Sequence, residues 1–230
     1  MWLVGERKAC AAVVLSFFGS LFLLNAILGP DPPAPMFGAL ALAYLAGFFG
    51  LVAGWFWSRW YCLGLGVSGL IMAAMMAWQV GAEPFVLIWG GAHLVVALSL
   101  VGKGPASLFD GRKDWRERYR MDENGANRLG KSIMRAGASI PYLILGGLAP
   151  REDGLVLPLV ALLIGAAGLW AVVRLRTWGL VAMAAAAITA SFAALGSSWG
   201  GLPALAVPAG IMFLAGAVLP FAAPMWRALR

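Results

Sequence analysis

The chain contains one histidine, His93, which lies in the apolar stretch VLIWGGAHLVVALSLVG, residues 86–102. An imidazole in such a setting can ligate a metal, carry a proton or exchange hydrogen bonds with a neighbouring helix. The two cysteines, Cys10 and Cys62, form neither a CxxC pair nor a Cys/His spacing of the kind that binds zinc. The sequence therefore predicts no metal site, and the role of His93 depends on its surroundings.

Nucleophilic catalysis needs a nucleophile beside the imidazole, and the sequence does not supply one. Ser99 lies six residues after His93, so the two side chains do not share a helix face. The chain has no GxSxG elbow and no GxxxxGKS/T phosphate loop. The GLGVSG run at residues 64–69 lies inside an apolar segment, where its glycines are expected to serve helix packing. We expect no catalytic residue and favour a non-enzymatic role.

Haem is the one cofactor that the spacing suggests; the cofactor is otherwise unknown. His93 and Met212 each lie nine residues after a proline that begins an apolar segment. If those segments are repeats, the two side chains share a depth and can ligate a haem iron from two sides. The simpler hypothesis is a neutral His93 that hydrogen-bonds a serine or a backbone carbonyl of a helix brought close by Gly90 and Gly91.

The elements that must position these residues follow from the composition. Hydrophobic residues make up 62% of the chain and charged residues 12%, against roughly 45–50% and about 25% in soluble proteins. The excess falls in blocks of about 20 residues, the length of helix that crosses a bilayer. We predict an all-α, polytopic membrane bundle of about eight helices, near residues 9–29, 35–57, 61–81, 84–102, 132–150, 154–173, 177–197 and 203–224.

The positions of lysine and arginine predict the orientation of this bundle. With eight spans, sixteen of the seventeen basic residues lie on one side, and only Arg151 lies on the other. Basic residues accumulate on the cytoplasmic side, so both termini are predicted to be cytoplasmic. The net charge of +7 then reflects contact with anionic headgroups and requires no nucleic acid. The richness in alanine and glycine favours a bacterial inner membrane.

The segments suggest a single membrane domain built from a parallel 4+4 repeat. Arg59-Trp60-Tyr61 opens the third segment much as Arg176-Thr177-Trp178 opens the seventh. The halves would be residues 1–102 and 132–230, joined by a basic, amphipathic cytoplasmic loop at residues 103–131. Two halves with an even number of spans have the same orientation.

The basic loop is the candidate surface for lipids or partner proteins. Its second part has helical spacing, with apolar residues on one side and basic residues on another, and it is predicted to enter the fifth span. The candidate residues for lipid or partner binding are Trp115, Tyr119, Arg128, Lys131 and Arg135.

The centres of the predicted spans carry no Asp, Glu, Lys or Arg, which argues against an ion-coupled pump. The leading hypothesis is an accessory or scaffold subunit that packs against partner proteins, lipids or a second copy of itself through small-residue helix faces. The alternative is a channel or carrier for a small or lipid-like molecule. A second alternative is a subunit that binds haem or another macrocycle through His93.

Overall fold

The computed structural model describes residues 4–29, 33–102, 104, 109, 123–149, 156–195 and 202–228. This part of the chain forms eight helices and contains no strand. Each helix covers one of the eight predicted segments, which confirms the all-α class and the helix count. The helices are α1 (Val4–Leu28), α2 (Ala34–Ala53), α3 (Phe56–Val80), α4 (Pro84–Leu100), α5 (Glu123–Leu148), α6 (Val156–Val173), α7 (Trp178–Leu195) and α8 (Leu202–Ala228).

Five of the eight described helices are long and apolar enough to cross a membrane, which supports the predicted membrane bundle in part. They are α1 from Gly5, α2, α3, α6 and α7. Two shorter apolar stretches, Pro84–Leu100 and Ala206–Ala222, belong to α4 and α8. These lengths and compositions are consistent with an integral membrane protein.

The boundaries of several helices follow from local sequence. Pro84 opens α4, at a position where its missing N–H costs no helical hydrogen bond. Gly54 closes α2 with φ of 70°, in the left-handed region that favours glycine, and its N–H reaches back to the last turn. The turns that join α2 to α3 and α3 to α4 are short, and these consecutive helices pack against each other.

Two arginines from other helices hold the carboxyl end of α4. Arg59 of α3 is 6% exposed, and its Nε donates to the Leu100 carbonyl at 3.0 Å. Arg7 of α1 donates to the carbonyls of Leu98 and Val101. The last carbonyls of a helix lack helical donors and carry partial negative charge, so the guanidinium groups satisfy both needs.

α5 is a continuous helix that starts well before the predicted span. It begins at Glu123, which confirms that the helix starts within the basic loop. Leu129, Ile133 and Ala136 are buried, whereas Lys131 is exposed. The apolar side of the predicted amphipathic segment therefore packs into the bundle.

Helix packing divides the bundle into two groups of four. α1 to α4 form a closed ring in which each helix packs on the next and α4 packs on α1, and α5 to α8 follow the same order. The groups meet chiefly where α3 packs on α5. A twofold relation would pack α7 on α1 in the same way, but the described residues show no comparable contact there. The repeat therefore stays a prediction.

Candidate ligand-binding cavity

His93 is buried among four helices of the first group, and both of its ring nitrogens have hydrogen-bond partners. The residue is 1% exposed. Nδ1 lies 2.8 Å from the carbonyl oxygen of Trp89, one turn earlier in α4. Nε2 lies 2.7 Å from the hydroxyl of Tyr44 on α2. The predicted carbonyl partner is present, but it belongs to α4 itself, and the partner on another helix is a tyrosine, not a serine.

These two partners indicate which nitrogen carries the proton. A carbonyl oxygen can only accept, so Nδ1 is protonated and donates to Trp89. Nε2 of the neutral ring is then an acceptor, and Tyr44 donates to it. A second proton on Nε2 would turn Tyr44 into an acceptor and leave its own proton without a hydrogen bond. The geometry therefore favours a neutral His93, as the simpler hypothesis predicts.

Aromatic rings from three helices surround the imidazole. The ring centroids of Phe18 and Trp89 lie 4.9 and 4.6 Å from that of His93, and 4.7 Å from each other. The Phe22 ring adds an edge contact to Tyr44 with centroids 5.3 Å apart. We call these five residues, from α1, α2 and α4, the aromatic cluster. Tilted and edge-on pairs of this kind contribute beyond their buried area.

A glycine of α3 provides the fourth wall around His93. A Cβ atom placed on Gly69 would overlap the imidazole ring at Cδ2. Trp89 reinforces the contact, since its Nε1 donates to the Gly69 carbonyl at 3.2 Å. Gly90 also contributes to this approach, as predicted, since a Cβ placed on it would lie 3.0 Å from the Cβ of Ala73 on α3. Gly91 does not, because a Cβ placed there would meet nothing within 4 Å.

The other glycines of the GLGVSG run also serve close packing, as predicted. A Cβ on Gly64 would overlap the carbonyl oxygen of Met134 on α5. A Cβ on Gly66 would lie 3.1 Å from the backbone nitrogen of Ala97 on α4. α3 therefore uses glycines to pack closely on two neighbouring helices, α4 and α5.

A cavity of about 180 Å³ lies directly against the aromatic cluster. Tyr44, Gly69 and Trp89 belong both to the surroundings of His93 and to the wall of this cavity. The lining is almost entirely apolar and is rich in aromatic and methionine side chains. We call it the α1–α5 cavity, and its lining residues are Phe22, Met36, Phe37, Leu40, Tyr44, Ser68, Gly69, Met72, Met76, Phe85, Trp89, Pro141 and Leu145.

The α1–α5 cavity lies towards one end of the bundle and reaches its surface. Its residues come from the carboxyl-terminal halves of α1, α3 and α5 and the amino-terminal halves of α2 and α4, and they reach the middle of α2 and α3. Met36 and Met76 are partly exposed and Phe85 is exposed, so these side chains form the rim. Tyr44 and Trp89 lie at the inner end.

Ser68 is the one hydroxyl-bearing residue besides Tyr44 in this lining, and its Oγ makes no hydrogen bond among the described residues. The residue is 1% exposed. Its backbone carbonyl, by contrast, accepts from the Tyr142 hydroxyl of α5 at 2.9 Å. This bond ties α3 to α5 at the wall of the cavity.

The structure does not bring the predicted haem ligands together. Met212 is 74% exposed on α8, whereas His93 is buried in the first group of helices. Both nitrogens of His93 are already engaged, so ligation would require breaking one of its two hydrogen bonds. The geometry gives the His93/Met212 pair no common site.

The predicted lipid- or partner-binding residues divide into two sets. Arg128 is partly buried and Lys131 is exposed at the start of α5. Arg135 points into the bundle instead, where its Nη1 donates to the Gly216 carbonyl of α8 at 2.7 Å. Trp115 and Tyr119 lie outside the described residues.

Comparison with known proteins adds no further assignment. No family model, no curated protein and no solved structure matches this chain. Within the described residues, no three His, Cys, Asp or Glu side chains come together as metal ligands would.

Sequence reasoning found His93 but missed the residues that surround it. Trp89 and His93 are four residues apart, as are Phe18 and Phe22, and this spacing puts each pair on one helix face. That signal was available in the sequence. Tyr44 and Ser68 carry no such mark, because their roles depend on which helices become neighbours.

Proposed function

We propose that this protein is an integral membrane protein that binds one small, mainly apolar molecule in the α1–α5 cavity. The observation that carries the proposal is a cavity of about 180 Å³ with an almost wholly apolar lining, which lies between five helices and opens at one end of the bundle. This is the binding step that the carrier hypothesis requires. Membrane-embedded bundles commonly place ligand sites between their helices.

The volume of the cavity sets the size of the ligand. An apolar cavity of about 150 Å³ in another protein stays dry and binds benzene. The α1–α5 cavity is slightly larger, so it fits a single substituted ring or an aliphatic group of similar size. The aromatic and methionine side chains suit a planar or polarisable ligand, since rings and thioethers make favourable contacts with aromatic faces.

The proposed orientation places the cavity in the outer half of the membrane. Both termini and the basic loop are cytoplasmic in this proposal, which follows the distribution of Lys and Arg. The start of α2, the end of α3 and the start of α4 then lie on the outer side, and these segments form the rim. A ligand would enter from the outer leaflet or the outer surface of a bacterial inner membrane.

Saturable binding of toluene to the purified protein tests the proposal. The protein is held in mild detergent, and labelled toluene is distributed by equilibrium dialysis. Leu40 of α2 lines the cavity, whereas Leu42 of the same helix is 72% exposed. Leu40→Trp should block the cavity and remove the saturable component, and Leu42→Trp should leave it unchanged. Subtraction of the Leu40→Trp signal also removes the toluene that partitions into micelles.

Two results would contradict the proposal. One is toluene uptake by the wild-type protein that matches the Leu40→Trp variant at every concentration. The other is equal loss in the two tryptophan variants, which would place the binding outside the cavity. Leu145→Trp, introduced from the α5 wall, provides an independent block and should behave like Leu40→Trp.

The accessory-subunit hypothesis stays a prediction that the same preparation tests. The exposed apolar side chains of the bundle are equally suited to lipid, so no particular face indicates a protein partner. A monodisperse particle obtained without other chains would contradict an obligate scaffold role. Persistent co-purification of a second protein would support it.

A further inference from the structure

We infer that a second cavity, between α5, α6, α7 and α8, holds part of an acyl chain of an anionic phospholipid whose headgroup lies at Arg174 and Arg176. The inference shares the membrane location of the proposed function but does not depend on the ligand of the α1–α5 cavity. We call this second site the α5–α8 cavity. It has a volume of about 140 Å³, and its lining residues are Leu129, Val172, Leu175, Arg176, Thr177, Leu180 and Phe221.

The α5–α8 cavity has an apolar floor and a basic mouth. Leu129, Val172 and Leu180 are buried, whereas Arg176 and Thr177, in the turn between α6 and α7, are exposed. The wall is almost entirely apolar, so the charged end of Arg176 lies outside it, at the mouth. An apolar cavity of about 150 Å³ in another protein binds benzene, so this one fits about six carbon atoms of an acyl chain.

The backbone of Leu175 is a second observation at the same place. Its φ is 59°, the one left-handed value at a non-glycine residue in the described part of the chain. Its N–H donates to the Val172 carbonyl, and the N–H of Arg176 donates to that of Ala171. Gly54 at the end of α2 has φ of 70° and begins the same pair of bonds, and glycine is the usual residue in this kind of turn.

A leucine in this conformation indicates that its side chain has a role. The left-handed region is unfavourable for residues with a Cβ atom, and glycine would avoid that cost. The Leu175 side chain lines the cavity, and the same turn places Arg176 at its mouth. Two consecutive residues therefore supply an apolar wall and a cation, which are the two contacts that an acyl chain and its anionic headgroup need.

The charge around the mouth favours an anionic headgroup. Arg174 is exposed, and its guanidinium carbon lies 5.2 Å from the centre of the Trp170 ring. Tryptophan rings favour the headgroup level of a bilayer, so this contact places the arginine at that level. In the sequence, no Asp or Glu lies within three residues of any lining residue. One basic residue near the membrane surface strengthens binding to anionic lipid about fivefold.

Retention of two labelled phospholipids by the purified protein tests the inference. The probes are phosphatidylglycerol and phosphatidylcholine with the same dioleoyl chains. Each is mixed with the protein in mild detergent at several concentrations, and the lipid that elutes with the protein on gel filtration is counted. We expect phosphatidylglycerol to be retained at least about fivefold more strongly. Arg176→Gln should lower this preference, and Arg176→Lys, which keeps the charge, should preserve it.

Two tryptophan variants of α7 test the cavity itself. Leu180 is buried and lines the cavity, whereas Val181 is 62% exposed. Leu180→Trp should fill the cavity and lower the retention of phosphatidylglycerol severalfold, and Val181→Trp should leave it unchanged. If Leu180→Trp does not fold, Leu175→Gly suits the left-handed turn, removes part of the cavity wall and should also lower retention.

The outcomes that overturn the inference can be told apart from failure of the proposed function. Equal retention of the two phospholipids by the wild-type protein would exclude a site for an anionic headgroup. Equal retention of phosphatidylglycerol by Leu180→Trp and Val181→Trp would place the lipid elsewhere on the bundle. Either result would overturn the inference, and saturable toluene binding in the same preparation would leave the proposed function standing. Selective lipid retention without toluene binding would have the opposite meaning.

Discussion

Arg135 of α5 donates a 2.7 Å hydrogen bond to the Gly216 carbonyl of α8. In an unbroken helix this carbonyl would accept from the backbone N–H four residues later, but that residue is Pro220, which has none. The guanidinium therefore takes the place of a missing helical donor. An arginine that interrupts an apolar segment and a proline that interrupts another are two parts of one contact.

Removal of the Arg135 guanidinium should destabilise the bundle in a way that depends on Pro220. Arg135→Leu leaves the Gly216 carbonyl without a donor, at an expected cost of about 1.5–3 kcal/mol for a bond to a charged group. Pro220→Ala restores an N–H at the correct position, so the same arginine substitution should cost less in that background. A double-mutant cycle on unfolding in detergent measures the difference. Additive costs would show that the two residues act separately.

The hydrogen bond between Tyr44 and His93 should appear as coupling between the two side chains. His93→Leu orphans the buried Tyr44 hydroxyl, and Tyr44→Phe orphans Nε2, each at an expected cost of about 1–3 kcal/mol. The double variant removes both partners and should cost less than the sum. Thermal unfolding of the four proteins checks this. We also expect His93→Leu to disturb helix packing more than it reduces a measured activity. Loss of that activity in a protein that still folds and assembles would contradict this expectation.

Substitution of Gly69 by alanine should destabilise the protein, whereas the same substitution of Gly91 should not. Gly69→Ala drives a methyl group into the imidazole of His93, and overpacking of this kind costs about 1–3 kcal/mol. Gly91→Ala meets nothing within 4 Å, so it should be neutral or stabilising by up to about 1 kcal/mol through helix propensity. The unfolding temperatures of the two variants give the comparison. Equal effects would mean that the contact between α3 and α4 adjusts freely.

Loss of Arg59 should weaken the carboxyl end of α4, whereas loss of Arg176 should not, although the two arginines occupy matching positions in the predicted repeat. Arg59→Leu removes the donor from the Leu100 and Gly102 carbonyls at the end of α4. Arg176 is exposed, and Arg176→Leu removes the same charge from the same proposed side of the membrane. Hydrogen exchange in the last turn of α4 should rise for the first variant and stay unchanged for the second. Equal exchange in the two variants would mean that Arg59 serves only as a positive charge that orients the helices in the membrane.

The number and position of the helices could be predicted because they follow from local composition. An apolar block of about 20 residues has few alternatives in a bilayer, where each backbone amide must bond within its own helix. Even the early start of α5 was visible, since apolar and basic residues alternate there with helical spacing. The predicted segments therefore match the helices closely, with differences confined mainly to their ends.

The site could be predicted only in part, because it is a product of helix neighbours. His93 is conspicuous as a polar residue in an apolar segment, but its partner Tyr44 lies 49 residues away. The α1–α5 cavity is a volume left between five helices, and no single segment encodes it. Arg135 was assigned to lipid or a partner because the sequence does not show that α8 offers it a free carbonyl.

The order of the residues along the chain has a consequence for synthesis. Every group that surrounds His93, from Phe18 to Trp89, precedes the basic loop, so the aromatic cluster can close before α5 has left the ribosome. The last wall of the α1–α5 cavity, formed by Pro141 and Leu145, follows only seconds later at about 5–20 residues per second. In the nascent chain, His93 is thus enclosed by its aromatic neighbours while the α1–α5 cavity still lacks its wall from α5.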